Sequence, residues 1–199
     1  MPLKQRLKDG WDFLWNSDSI SSWIALLLIC FVLVRFIIFP ILGLILGGTQ
    51  LPLVVVESSS MEHNGDFDKW WSEKGSWYEQ KNFTKEEVKE WSFNNGLDKG
   101  DIVLSRKLKE YANYNVGDVI IFKTPSQKTP IIHRVIGKEQ NFYVVKTKGD
   151  NNKEQNFYEN DVKEDYILAK AIFRVPKLGW IKLVFVEALK TLQSVNQVK

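Results

Sequence analysis

Residues 54–66 read VVVESSSMEHNGD, a run of β-branched apolar residues that stops in three hydroxyls, Ser58, Ser59 and Ser60. A serine nucleophile needs a base to take its proton, donors for the oxyanion, and usually a group that orients the base. The chain has only two histidines, His63 and His133, so the search for a base is short. His63 falls in HNGD and reads as an exposed loop histidine. His133 falls in PIIHRVIG, where strand alternation puts it on one face with Ile131 and Val135. On pattern alone it reads either as a base or, more simply, as a core histidine bonded to backbone. Gly149-Asp150-Asn151-Asn152 follows the strand FYVVK and is a turn by composition. Pairing of strands 131–136 and 142–147 would return the chain to the start of the first strand and bring Asp150 to the His133 imidazole. Taken alone, GDNN is a hairpin tip and ESSS a polar turn. A lysine base, Lys146 or Lys148, would need burial to lose its proton, and both lie in the charged run KTKGD.

The elements that would hold these residues are short strands. LPLVVV, DIVLSRKL, DVIIFKT, PIIHRVIGK, FYVVKTKG and DYILAKAIFRV are rich in Val, Ile, Phe and Tyr, and most are bounded by Gly, Pro, Asn or Asp. The pattern predicts a mostly antiparallel β domain over 49–175, a sandwich or distorted barrel. Residues 66–97 break it with a charged, aromatic insertion. In that insertion Thr84-Lys85-Glu86-Glu87 fits a capping box and predicts a short helix near 85–91. Trp70, Trp71, Trp77 and Trp91 are expected to pack on the β core. Residues 176–199 carry apolar positions at helical spacing with interspersed lysines, an amphipathic segment for a membrane surface or for the β domain.

Ahead of the strands, residues 20–48 are apolar apart from Arg35, long enough to cross a bilayer. The flank 1–19 carries Lys4, Arg6 and Lys8, whereas GGTQLPLVVVESSS has no Lys or Arg. The positive-inside tendency then puts the N-terminus in the cytoplasm and the domain on the outer face of the cell membrane, as a single-pass protein. WDFLW, preceded by those basic residues, predicts a short interfacial helix. A net charge of +3 without a long Lys/Arg block argues against nucleic acid. A single cysteine, Cys30, excludes an internal disulfide and a multi-cysteine zinc site, and the aspartates lack the spacing of a metal cluster.

In order, an apolar anchor, SSSMEH, KGDIVL, VGDVIIF, IIHRVIG and KGDNN resemble signal peptidase I in the form found in archaea and the endoplasmic reticulum. The resemblance runs from about residue 20 to 180, outside the insertion at 66–97. It implies a membrane-anchored serine endopeptidase without cofactor or metal that removes signal peptides after small residues. Its partners would be secretory preproteins, membrane lipid, and a translocon or accessory subunits. Ser60, before Met61-Glu62, matches the nucleophile, and His133, before Arg134-Val135, the general base, where bacterial relatives carry lysine. Ser58 matches the hydroxyl that helps the Ser60 N–H hold the oxyanion. Asp150 matches the Gly-Asp-Asn-Asn aspartate and is expected to orient His133. The sequence departs from the family at Asn156, where relatives often carry an aspartate; Glu159 and Asp161 are the next acids. Val54, Val55 and Val56 are expected to pair with an extended substrate. The competing reading is an anchored β domain that binds extended peptides without turnover.

Overall fold

The computed structural model describes residues 2–108, 114–139 and 144–197. The chain divides into two compact units, Met1–Ile45 and Leu46–Lys199.

The first unit is helical. α1 (Leu3–Asn16) has no buried residue. α2 (Ile20–Leu33) starts where the Ser19 hydroxyl accepts the Ser22 N–H. It runs through a π-helical turn, Val34–Ile38, into α3 (Phe39–Ile45). The π turn falls just ahead of Pro40, which has no N–H for the regular ladder. The continuous helix Ile20–Ile45 is the one helix among the described residues long and apolar enough to cross a bilayer.

The second unit is built on seven antiparallel strands, β1 (Leu53–Val55), β2 (Ile102–Arg106), β3 (Val119–Thr124), β4 (Gln127–Glu139), β5 (Val144–Lys148), β6 (Val162–Lys163) and β7 (Ile167–Val175). They are ordered β1-β2-β7-β3-β4-β5-β6 in one sheet. The expected mostly β architecture is therefore observed, with a helical insertion and an N-terminal apolar helix. Register shifts interrupt β2–β7, β3–β7, β3–β4 and β4–β5, and such bulges bend and twist a sheet. Phe142 and Tyr143, expected to open the strand before GDNN, lie outside the described residues.

Strand alternation sends neighbouring side chains to opposite faces. On β4, Val135 joins a buried cluster with Ile120, Phe122, Val145, Val162 and Ile167. Ile136, one residue on, packs instead with Phe67, Trp70, Trp71, Tyr78 and Val88 of the insertion. The insertion folds as α4 (Phe67–Glu79), capped by Asp66, and α5 (Lys85–Lys89), capped by Thr84. The capping box thus marks α5 as expected, but α4 is a helix that periodicity had not suggested. The tryptophans do pack on the β domain: Trp70 and Trp71 are buried, with Trp77 and Trp91 against them. The chain ends in α6 (Trp180–Gln197), which exposes Ile181, Val184 and Phe185.

Candidate active site

Ser60 leaves β1 through a short turn in which Glu62 N–H donates to the Ser59 carbonyl at 3.1 Å. Its hydroxyl lies 3.0 Å from Nε2 of His133. His133 sits opposite Ile120 across β3–β4, is 3% exposed, and has the Phe122 ring at its edge. A base in that position can take a proton from Ser60 only if Nδ1 carries the other one. Nδ1 faces Oε1 of Glu159 in a short hydrogen bond. Oε2 of Glu159 accepts the Asn156 N–H at 2.6 Å and the Asn156 amide at 2.7 Å. Burial pushes the Glu159 carboxyl up, but His133 and the two Asn156 donors outweigh it and hold the group below the ordinary carboxylate range. Serine, imidazole and carboxylate therefore lie in one hydrogen-bonded line.

Asp150 is not part of that line. His133 and Arg134 are neighbours on β4 and point to opposite faces, and Asp150 follows Arg134. Arg134 gives Nε to Oδ1 at 2.9 Å and Nη2 to Oδ2 at 2.6 Å. Its remaining donors reach the carbonyls of Ser92, Gly117 and Phe93. Tyr78 donates to Oδ1, and His63 Nε2 meets Oδ2 at 3.0 Å. Burial works against the Asp150 charge, yet Arg134 first and His63 next hold its pKa far below the usual value. The expectation that Asp150 orients His133 is corrected on this geometry: the carboxylate at Nδ1 belongs to Glu159. Nor is His63 an exposed loop residue. It is buried, stacked 4.1 Å from the Trp70 ring.

Asp161 and Asn156 divide differently. Asn156 bonds Glu159, not the imidazole, and Asp161 is exposed. The pattern Asn156-Phe157-Tyr158-Glu159 is itself a capping box, and both of its bonds are formed. That spacing is the sequence signal by which Glu159 was recognisable as a fixed carboxylate.

The Ser58 hydroxyl lies 3.1 Å from that of Ser60, at the reacting edge. β1 is an outer strand of the sheet. Pro52 O, Val54 and Val56 N–H and C=O are directed at β2 and the residues before it, so the main chain of Val55 alternates to the unpaired side. Val56 is buried in a cluster with Met61, Leu97 and Val103. Of the three valines, Val55 is the one whose backbone is placed for an added strand. Lys146 pairs with exposed Glu139, and Lys148 gives its ammonium to the carbonyls of Gly149 and Asn152. Burial lowers Lys148 to about 8, but its proton acceptors and the faces of Trp77 and Tyr78 account for it without Ser60.

The fold and this geometry define a serine-histidine-carboxylate site on an antiparallel sheet, in a chain with an apolar N-terminal helix. Residues 77–141 match the family model described as signal peptidase, peptidase S26. The chain is also similar to the signal peptidase complex catalytic subunit sec11 of Dictyostelium discoideum, at 30% identity over 79 residues. That alignment covers 36% of this chain and 44% of the relative, so the chain spans less than half the length of the curated relative it matches. Over these parts of its length the chain is similar to signal peptidases. The family match includes His133 and leaves Ser60 and Glu159 outside it, and those two are brought to His133 by the geometry.

Proposed function

We propose that this protein is a membrane-anchored serine endopeptidase that removes signal peptides from secretory preproteins. The observation that carries the reading is the line from Ser60 Oγ to His133 Nε2 and from Nδ1 to Glu159. In the first half-reaction Ser60 attacks the scissile carbonyl while His133 takes the hydroxyl proton. Ionised Glu159 holds the Nδ1–H tautomer and stabilises the imidazolium that forms. The Ser60 N–H and the Ser58 hydroxyl receive the developing oxyanion. His133 then protonates the leaving amine, and water hydrolyses the acyl-enzyme by the same route in reverse. The substrate's extended cleavage segment adds to β1 at Val55, with small side chains at the cut site. The apolar helix holds the chain in the cell membrane with its N-terminus in the cytoplasm and the β unit on the outer face. The relative is named as a subunit of a complex, so accessory subunits are proposed partners here too.

The test is cleavage of a preprotein with an Ala-X-Ala site by the full chain in liposomes, products read by mass spectrometry. Wild type cuts at that site. Ser60→Ala and His133→Ala fold, insert and leave the preprotein intact. A folded, inserted wild type that binds the peptide without cutting it would favour the non-enzymatic reading.

A second variant probes the spacing of the pair. A Cβ on Gly149 would lie 2.8 Å from His133 Nε2 and 2.8 Å from the Ser60 carbonyl. Gly149→Ala is expected to keep the fold and to lower kcat about 100-fold, the scale of a small misplacement of reacting groups. Unchanged kcat would mean that the Ser60–His133 distance tolerates this wedge.

A further inference from the structure

The insertion carries three hydrogen-bond donors at helical spacing on one stripe of α4, at positions 70, 74 and 78. All three reach the turn after β5. Trp70 Nε1 donates to the Asp150 carbonyl at 3.1 Å, Lys74 Nζ to the Asn151 carbonyl at 3.0 Å, and Tyr78 OH to Asp150 Oδ1 at 3.2 Å. The same turn donates in the other direction. Asn151 N–H meets the Ser60 carbonyl at 2.8 Å, and its amide meets the Ser59 carbonyl at 3.0 Å. Asn151 is thus the bridge between α4 and the main chain of the serine. The Trp70 ring, stacked on His63, also holds the segment just beyond Ser60.

We propose that α4 fixes the position of Ser60 through Asn151, with Trp70 and Lys74 as positioning residues that touch neither substrate nor the reacting atoms. This deepens the peptidase reading and rests on it. In the 149–152 turn Lys148 holds the carbonyls of Gly149 and Asn152, and Arg134 holds the Asp150 carboxylate. Trp70 and Lys74 hold the two remaining carbonyls, those of Asp150 and Asn151, and so set the orientation that Asn151 passes to Ser60. A displacement of the nucleophile costs rate and leaves the ground-state binding of the substrate alone.

The experiment uses the full chain in liposomes with two readouts, preprotein cleavage and labelling of Ser60 by a small alkyl fluorophosphonate that makes no peptide contacts. Trp70→Phe keeps an aromatic ring on His63 and removes the donor. Lys74→Met keeps the stem and removes the ammonium, and Lys74→Arg keeps a cation of similar reach. For Trp70→Phe and Lys74→Met, kcat and the labelling rate are expected to fall together by about ten-fold, with KM within about two-fold, and Lys74→Arg to restore both. A raised KM with labelling at the wild-type rate would overturn the proposal and make α4 a substrate contact. Wild-type rates in both variants would overturn it as well. Should Trp70→Phe lose its near-ultraviolet circular dichroism, the Lys74 variants decide. A wild type that neither cleaves nor is labelled overturns the peptidase reading and this proposal with it. A fully active wild type with fully active variants overturns the proposal alone.

Discussion

Glu159→Gln is expected to leave the protein folded and to reduce kcat by about 10³- to 10⁴-fold, as loss of the correct tautomer does in serine-histidine-acid sites. The reason lies in the donors around the carboxylate. Oε2 accepts two hydrogens from Asn156, so a glutamine must turn its oxygen to Asn156 and its NH2 to His133. An NH2 facing Nδ1 requires that nitrogen to accept. The ring proton then moves to Nε2, where it meets the Ser60 hydroxyl and leaves the serine without a base. Steady-state cleavage by Glu159→Gln, with Ser60→Ala as the background, measures the effect. A rate within about ten-fold of wild type would remove Glu159 from the orienting role. The change also has a stability side. The folded Glu159 carboxyl is held below its ordinary value, so its contribution is complete above the ordinary carboxylate range and is lost as pH falls through the lowered value. Glu159→Gln should therefore flatten part of the acid limb of the unfolding curve.

Arg134→Leu should be the most destabilising single change at this end of the sheet, by about 3–5 kcal/mol, the cost of leaving one partner of a buried ion pair uncompensated. Arg134 is 1% exposed and Asp150 fully buried. With Arg134 gone, the carbonyls of Ser92, Gly117 and Phe93 lose their donors as well. Asp150 keeps its contacts with His63 and Tyr78, with the Lys148 ammonium nearby. Arg134→Leu combined with Asp150→Leu is expected to recover part of the loss, because the charge goes with its partner. Urea unfolding of the full chain in detergent, followed by tryptophan fluorescence, reads both variants. A cost below about 1 kcal/mol for Arg134→Leu would show that the pair does not organise this region. The pH sign is the same as for Glu159. Unfolded Asp150 takes up its proton near pH 4. The folded carboxyl resists that proton because Arg134, against the opposing push of burial, holds it low. Wild-type stability therefore falls as pH drops below about 4, and Arg134→Leu should show a shallower fall.

The strands were legible because their composition is dense in β-branched and aromatic residues and their ends are marked by Gly-Asp, Pro or Asn. LPLVVV, DIVL, VIIFKT and PIIHRVIG all fall on β1 to β4. Their order across the sheet was not legible, because β7 sits between β2 and β3 and no local pattern reports a long-range insertion. Ser60 and His133 were singled out by the ordered resemblance, the scarcity of histidines only shortening the search, and the fold sets the two 3.0 Å apart. The acid was not legible. Chain return after β5 does bring Asp150 close to β4, as expected, but proximity in the chain does not say which face wins. Arg134 offers Asp150 a bidentate partner one residue from His133 and on the opposite face. Glu159 reaches His133 from a separate turn whose only local sign is its capping box. α4 escaped because its face toward the sheet is aromatic and carries side chains that donate to the turn after β5, so the usual apolar stripe is blurred.

The π turn at Val34–Ile38 lies in an apolar helix of 26 residues. At about 1.5 Å per residue that helix is about 39 Å long, against about 30 Å for the hydrocarbon core of a typical bilayer. The surplus has to be absorbed by leaning, by bending at the π turn, or by lipid that stretches to meet it, at fractions of a kcal/mol per Å of mismatch. As a membrane span, a helix of this length would fit thicker bilayers at lower cost than thinner ones, and in a cell whose membranes differ in thickness that preference would bias where the chain resides.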